Sequence, residues 1–264
     1  MSLSGRERRQ KRPPGFLFAV GLLRPLLMAL MRRNWSGAQH IPKDRGCVVV
    51  ANHNSYVDPL IVAHFLNDHG IMPSFLGKVE VFKVPVIGRI LKAAKQIPVY
   101  RETGQAADAY RAAVAAVNEG HCVAIYPEAT LTRDPDLWPM RGKTGAARIA
   151  LQTRCPVIPL AQWGGQAILG PYESRPHFLP IKEVTVVAGP PVDLSDLHDR
   201  PMSREVLEES TRRIMAAITG LLEEIRGEQA PAEVFDPRAK GVPTTGPIVR
   251  HKTDTSNPNP QENS

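Results

Sequence analysis

The run CVVVA at residues 47–51, together with NHNSYVD at residues 52–58 directly after it, is the most informative part of this chain. A short, continuous apolar run is typical of a buried strand, and the polar residues after it predict a turn. His53 and Asp58 stand five residues apart in that turn. A histidine oriented by a carboxylate can remove the proton of an alcohol near neutral pH. The structural alternative is that Asp58, before Pro59, starts a helix.

Two more apolar segments run into charged residues. The segment QIPVYR at 96–101 ends in an arginine, and VAIYPEAT at 123–130 runs into a carboxylate. In an open α/β sheet, ligands bind beyond the carboxyl ends of the strands. We therefore expect one shared site, formed by His53, Asp58, Arg101 and Glu128.

Strand-like and helix-like segments alternate along the chain, and this predicts an α/β fold with a mixed, mainly parallel sheet covered by helices on both faces. The predicted strands are residues 47–51, 71–76, 96–100, 122–126, 156–162 and 184–188. The predicted helices are residues 59–69, 84–95, 104–118, 143–153 and 203–226.

Four blocks of sequence occur in an order that resembles a known family. They are NHNSYVD at 52–58, IPVYR at 97–101, YPEAT at 126–130 and CPVIPL at 155–160. With these blocks, residues 15 to 225 are similar to the glycerolipid acyltransferases, the family that includes 1-acyl-sn-glycerol-3-phosphate acyltransferases. The resemblance implies transfer of an acyl chain from acyl-CoA or acyl carrier protein to the free hydroxyl of a lysophospholipid, giving phosphatidic acid.

The resemblance also implies a role for each site residue. His53, oriented by Asp58, would deprotonate the acceptor hydroxyl, which then attacks the thioester carbonyl. Arg101 would hold the acceptor phosphate with two hydrogen bonds. Glu128 would orient the glycerol hydroxyls or pair with Arg101, with a carboxylate at a helix start as the structural alternative. Thr130, in the third block, would line the substrate site.

Two positions depart from the family pattern. Ala129 stands where a glycine is usual, and Leu131 stands where an arginine often follows the threonine. If the glycine serves a positive φ, an alanine adds strain there. Arg133 is either a substitute positive charge or an exposed arginine in a polar loop. Because of these departures, the acceptor could be another lysolipid or a glycolipid. An alternative from another functional class is a catalytically silent, membrane-attached lipid-binding protein.

Two lysines are further candidates for substrate contacts. Lys78 follows a strand-like run, and Lys143 lies in the glycine-containing turn RGKTG before a helix, where either a phosphate contact or a solvated lysine is expected. The three cysteines fit no C-x-x-C pattern and the histidines show no paired ligand spacing, so we expect free thiols, no metal and no cofactor. No nucleic-acid recognition module is present, so no nucleic-acid partner is expected.

The chain carries a formal charge of +7, and this charge is concentrated near the amino terminus. Residues 1–45 hold ten Lys and Arg against two acids, or +8, so the rest of the chain sums to −1. The apolar run at 16–31 would span about 24 Å as a helix, short of the roughly 30 Å hydrocarbon core of a bilayer. We expect an amphipathic helical pair, interrupted at Arg24-Pro25, that attaches the protein to anionic lipid at the cytoplasmic face of the cell membrane as a peripheral or monotopic protein. The structural alternative is a first core helix with a solvated basic tail.

The predicted organisation has three parts. Residues 1–40 are the membrane-anchoring segment, and residues 41–228 are the acyltransferase domain. Residues 229–264 form a proline-rich tail with almost no apolar periodicity, which predicts disorder.

Overall fold

The computed structural model describes residues 12–93, 96–99 and 105–243. Its centre is a seven-stranded sheet in the order β1-β7-β6-β2-β5-β3-β4. The strands are β1 (Met31–Ser36), β2 (Cys47–Ala51), β3 (Pro73–Lys78), β4 (Ile97–Val99), β5 (Cys122–Ile125), β6 (Val157–Trp163) and β7 (Lys182–Ala188). Every neighbouring pair is parallel except β6 and β7. The predicted mixed, mainly parallel sheet is confirmed.

The central strand β2 shows why the sheet has a core on both faces. Successive side chains of a strand point to opposite faces. Val48 and Val50 accordingly belong to one buried cluster, and Cys47, Val49 and Ala51 belong to another. All five residues are buried, which is why the strand reads as a continuous apolar run instead of an alternating one.

The helices pack on both faces, as predicted. They are α1 (Pro14–Leu30), α2 (Asp58–Asp68), α3 (Val79–Lys83), α4 (Pro85–Ala93), α5 (Gln105–Asn118), α6 (Gly145–Thr153), α7 (Gly165–Ile168) and α8 (Arg204–Arg226), with short 3-10 turns at Ala38–His40 and Ser195–Leu197. Side chains of α5, α6 and α8 fill the first cluster. Side chains of α2 fill the second. The six predicted strands are present with ends shifted by at most two residues, whereas α3 and α7 were not predicted.

The strand β1 was missed, because its sequence MRRNWS was assigned to the anchoring segment. It is the edge strand of the sheet and pairs in parallel with β7, from Met31 beside Lys182 to Ser36 beside Val187. Only Met31 in this strand is buried, so the apolar alternation that marks a strand is absent. The predicted boundary at residue 40 therefore does not coincide with the structure, in which residues 31–36 belong to the sheet.

The amino-terminal apolar run forms one helix and not the expected pair. Helix α1 continues through Pro25. A proline at this position removes one backbone hydrogen bond, and the other contacts of α1 keep the helix in one piece. Arg24 pairs with Asp68 of α2 at 2.9 Å, and Leu27 packs against the second core cluster. Among the described helices, none combines the length and the apolar character needed to cross a membrane.

The carboxyl-terminal segment differs from the prediction in its described part. Residues 230–243, expected to be disordered, fold back onto the body of the protein. The carbonyl of Phe235 accepts a hydrogen bond from the Arg141 amide at 3.1 Å, and Asp236 pairs with the Arg141 guanidinium at 3.2 Å. These contacts link residues far apart in sequence, so local composition could not reveal them. Residues 244–264 lie outside the described ranges.

Candidate active site

His53 and Asp58 form a hydrogen-bonded pair at the carboxyl end of β2. His53 Nδ1 lies 3.0 Å from Asp58 Oδ2, and the same oxygen accepts hydrogen bonds from the amides of Asn54 at 2.6 Å and Ser55 at 2.7 Å. Because a carboxylate only accepts hydrogen bonds, Nδ1 is the donor and Nε2 is the nitrogen left to take a proton. Asp58 is also the first residue of α2. The helix-start interpretation is therefore correct, and the pairing with His53 is compatible with the predicted catalytic role.

The exposure of the pair suits an orienting acid beside a reactive base. The side chain of Asp58 is buried, whereas that of His53 is 15% exposed. A buried carboxylate holds its geometry, and a partly accessible imidazole can meet a substrate. The turn at residues 52–58 thus places a histidine in one tautomer at the surface of the core.

Glu128 fixes the backbone of His53. Its Oε1 accepts the His53 amide at 3.1 Å, and its Oε2 accepts the Met140 amide at 3.0 Å. The His53 carbonyl is held in turn by the Thr132 amide at 2.7 Å. Both oxygens of Glu128 thus bind backbone amides. These contacts support a positioning role for Glu128, and its predicted contact with glycerol hydroxyls or with Arg101 stays a prediction. The helix-start alternative is wrong because residues 126–132 form turns and bends, and the next helix starts at Gly145.

Burial of Glu128 perturbs its titration. The residue is almost completely inaccessible to solvent. Loss of solvation raises the pKa of Glu128 to about 8, and the amides of Met140 and His53 oppose this change. The carboxyl group therefore gains its charge only in mildly alkaline solution, unlike an exposed glutamate.

A second clamp, which the sequence did not reveal, joins the residue before His53 to strand β6. Asn52 Nδ2 donates to the Gln162 carbonyl at 3.0 Å, and Asn52 Oδ1 accepts the Gln162 amide at 2.8 Å. Gln162 Nε2 returns a hydrogen bond to the Asn52 carbonyl at 2.9 Å. Both residues are buried. The histidine is thus held between clamps to β6 on one side and to the third sequence block on the other.

Tyr126 supplies one wall of the site. Its ring stacks on the imidazole of His53 with centroids 4.2 Å apart and an interplanar angle of 23°, and Phe75 lies beyond it at 6.5 Å. Since β2 and β5 are neighbours, the residues that follow them lie side by side. Burial raises the pKa of Tyr126 well above its usual value, so the phenol stays neutral and the wall carries no charge next to His53.

Helix α7 supports Asp58 from the opposite side. A side chain at Gly165 would bring its Cβ to 2.7 Å from Asp58 Oδ1 and to 2.9 Å from Ile61 Cδ1. Such distances are too short for a methyl group. Ser55 Oγ also donates to the carbonyl of Leu169 at 2.6 Å, just after this helix. The sequence gave no signal for the small residue required at Gly165, because this requirement arises only from packing.

The residues after the third block fold against Tyr172. Arg133 is buried, with its guanidinium carbon 4.3 Å from the Tyr172 ring centroid, so the alternative of an exposed arginine is wrong. The Tyr172 hydroxyl donates to the carbonyl of Leu131 at 2.8 Å. Burial raises the pKa of Tyr172, while a hydrogen bond with Thr130 and the charge of Arg133 lower it. Thr130, Arg133 and Tyr172 therefore form one contact group beside the third block.

Ala129 adopts the strained conformation that its departure from glycine predicted. Its φ is +59°, in the left-handed region that costs a residue with a Cβ about 1–2 kcal/mol. Its side chain is exposed, so the cost lies in the backbone and not in a steric clash. The nearby Tyr172 also has a positive φ of 65°, and strained residues of this kind cluster at functional sites.

Of the other predicted basic residues, Lys78 and Lys143 lie in described parts of the chain. Lys78 ends β3, at the same edge of the sheet as His53, because β3, β5 and β2 are parallel. The amide of Lys143 donates to the carbonyl of Pro127 at 2.8 Å, which brings this turn next to the third block, and its side chain is exposed. Arg101 lies outside the described residues.

The described residues contain no group of three or more His, Cys, Asp and Glu side chains placed to hold a metal ion. The three cysteines are free. Cys47 and Cys122 face each other as paired residues of β2 and β5. Their positions at strand starts are far from the carboxyl ends that carry the site.

Comparison with known proteins agrees with this geometry. The model of the Acyltransferase family matches residues 32–163, which is half of the chain. The chain belongs to this family. The match contains the histidine turn, both clamps and the third sequence block.

Two relatives bear the name 1-acyl-sn-glycerol-3-phosphate acyltransferase. The chain is 31% identical over 135 residues to the chloroplastic protein BAT2 of Brassica napus, and 28% identical over 126 residues to a protein of Borreliella burgdorferi. These matches cover 50% and 47% of this chain, and 38% and 48% of the relatives. The chain therefore matches less than half the length of each relative.

A solved structure has a similar fold. The 1-acyl-sn-glycerophosphate (LPA) acyltransferase PlsC from Thermotoga maritima superimposes with a TM-score of 0.61 at 22% sequence identity, covering 82% of each chain. At this identity the likeness concerns the fold.

Proposed function

We propose that this protein transfers an acyl chain from a thioester to the free hydroxyl of 1-acyl-sn-glycerol-3-phosphate, which yields phosphatidic acid. The observation that carries the proposal is the His53–Asp58 pair, whose geometry is that of a general base with its orienting acid. Membership of the acyltransferase family and the names of the two relatives support the same reaction. The acyl donor is either acyl-CoA or acyl carrier protein.

The chemistry follows from the free nitrogen of the imidazole. Nε2 of His53 takes the proton of the acceptor hydroxyl as its oxygen attacks the thioester carbonyl. Asp58 stabilises the imidazolium that forms, and collapse of the tetrahedral intermediate expels the thiolate, which takes up a proton. The hydroxyl itself is the nucleophile, so no acyl-enzyme is needed.

The acceptor phosphate requires cationic partners. We assign this role first to Arg101, which a lysine could not replace with the same two-bond geometry. Lys78 is a second candidate because it ends β3 at the edge that carries His53. Lys143 and Arg133 are further candidates, since both follow the third block, and Thr130 would bind a substrate oxygen.

We also propose that the protein binds the cytoplasmic face of a membrane through α1. Phe18, Leu22 and Leu26 recur every fourth residue, so they share one helix face, and all three are exposed. Phe16 and Val20 pack instead against the body of the protein. A helix with apolar residues on its solvent side favours an anionic lipid surface, and the nearby basic residues add to the attraction.

The reaction is tested by thiol release from a long-chain acyl-CoA, with and without lysophosphatidic acid. We expect release that depends on the acceptor and falls by at least about 10²-fold in His53→Ala. His121→Ala is the matched control, because His121 precedes β5 at the end opposite to Tyr126. A His53→Ala variant of wild-type rate would refute the mechanism. Release with acyl carrier protein thioesters only would identify the donor.

Membrane attachment is tested by sedimentation with anionic vesicles. Because β1 begins at Met31, deletion of residues 1–33 would damage the sheet. Polar substitution of Phe18, Leu22 and Leu26 leaves the strand intact. We expect this variant to lose most of its vesicle binding, and binding equal to wild type would mean that the attachment lies elsewhere.

A further inference from the structure

A second exposed apolar segment lies in the connection between β6 and β7. Residues 173–181 are all exposed, and three of the last four are large and apolar, namely Phe178, Leu179 and Ile181. Leu179 is 83% exposed, the highest value among the large hydrophobic side chains of the described residues. Isolated apolar residues on a surface are ordinary, but a contiguous group marks an interaction site. We call these three residues the apolar loop.

The sheet places the apolar loop next to the end of α1. In the parallel pairing of β1 and β7, Met31 lies beside Lys182. Leu30, the last residue of α1, and Ile181, the last residue of the apolar loop, directly precede these partners. Paired residues of neighbouring strands lie about 5 Å apart. The exposed face of α1 and the apolar loop therefore adjoin.

The same connection reaches the candidate active site at its other end. It begins with α7, whose Gly165 packs against Asp58, and it continues through Tyr172, which contacts Arg133. Because β7 is antiparallel to β6, this connection lies at the edge where β6 ends. A surface docked on the apolar loop thus lies at the sheet edge that carries His53.

We propose that the apolar loop inserts into the interface of an anionic lipid bilayer, as a second contact beside α1. The proposal deepens the proposed function and rests on it for the presence of a membrane. Continuity with the exposed face of α1 supports a lipid partner over a protein. Arg175 and Lys182 flank the apolar residues and suit anionic headgroups, while Glu173 and Glu183 offset part of this charge. Two weak apolar contacts together give stable attachment where one alone is marginal.

The local chain is suited to insertion. Pro176 and Pro180 lie within the exposed segment, and each fixes its own φ. A loop with fewer accessible conformations loses less entropy when it binds. The apolar side chains can then enter the headgroup region without a folding step.

The first test replaces the three apolar residues by serine in the full-length protein. Binding is measured by sedimentation with vesicles of phosphatidylcholine and phosphatidylglycerol, without substrate. We expect at least about 10-fold weaker partitioning for Phe178→Ser/Leu179→Ser/Ile181→Ser, with an unchanged thermal midpoint because the side chains are exposed. The matched control is Met202→Ser/Val234→Ser, which removes exposed apolar residues elsewhere.

A second test reports on depth. Leu179→Trp adds an indole at the most exposed position, and we expect a blue shift on vesicles and quenching by bromine-labelled lipid, relative to wild type. Unchanged partitioning of the serine variant together with unchanged Leu179→Trp emission would overturn the proposal. If the serine variant lost self-association but kept its vesicle binding, the apolar loop would instead be an interface with a second copy of the chain, and the proposal would be overturned. Vesicle binding needs no turnover, so a protein that binds through the loop and releases no thiol would refute the proposed reaction and leave this inference standing.

Discussion

Replacing Glu128 by glutamine tests the clamp that holds the histidine backbone. Glutamine keeps the shape of the side chain but turns one acceptor oxygen into an NH₂ donor. That donor must face either the His53 or the Met140 amide, both of which now bind carboxyl oxygens. One buried amide is left without an acceptor, at a cost of about 1–3 kcal/mol. A displacement of the His53 backbone of about 1 Å would lower kcat by about 10²-fold.

The stability difference between wild type and Glu128→Gln should depend on pH. Burial raises the pKa of Glu128 from 4.5 to about 8, so the folded state holds a proton that the unfolded state has released between these values. Wild-type stability therefore falls as the pH rises through this range, whereas the glutamine variant lacks this contribution. A change of one in pKa corresponds to about 1.4 kcal/mol, so the wild type should lose about 3–5 kcal/mol of stability towards pH 9. This loss exceeds the cost of about 1–3 kcal/mol for the unpaired amide in Glu128→Gln, so the variant should become the more stable protein at alkaline pH.

The assay combines urea unfolding at pH 5.5 and pH 8.5 with steady-state kinetics. We expect a large loss of kcat with little change in KM, because the clamp positions the base and does not bind substrate. The matched control is Glu119→Gln, an exposed carboxylate after α5, which should change neither quantity. Wild-type kcat in Glu128→Gln would refute the clamp, and a stability difference independent of pH would refute the raised pKa.

Three further substitutions or truncations address other parts of the structure. Ala129→Gly relieves the strain of the left-handed backbone, and the larger entropy of glycine in the unfolded chain offsets part of this gain. We expect a net increase of up to about 1 kcal/mol in the unfolding free energy, measured as a rise in Tm. A lower Tm would contradict the proposed strain. Gly165→Ala forces a methyl group against the carboxylate of Asp58, so kcat should fall by about 10²-fold. The control Gly220→Ala, which has open space around it, should keep full activity. Equal activities of the two variants would show that the packing at Gly165 tolerates the methyl group. Truncation after residue 229 removes the contacts with Arg141, so it should lower kcat and should lower the unfolding free energy by about 1–3 kcal/mol. Truncation after residue 243 should change neither quantity. Equal stability and equal kcat of the two truncated proteins would mean that residues 230–243 contribute to neither.

The sequence predicted the strands whose residues are buried on both faces, because burial leaves a continuous apolar run that can be read locally. The sequence-based prediction failed for elements that are held in place by residues distant in the chain and not by a local apolar pattern. The edge strand β1 has only one buried residue, Met31, and is held by pairing with β7, about 150 residues further along the chain. The continuous α1 owes its persistence through Pro25 to contacts with α2 and the core.

The candidate site divides in the same way. The sequence alone predicted the pairing of His53 with Asp58, because they stand five residues apart in one turn, and it predicted the backbone strain at Ala129. Only the tertiary structure decided that Glu128 clamps the His53 backbone, that Gln162 clamps Asn52, and that Gly165 must lack a side chain. A turn brings close residues together by chain connectivity, whereas the distant contacts exist only once the sheet has set strands side by side. The identities of the paired groups are thus decided locally in the sequence, whereas the precision of their placement comes from the packed fold.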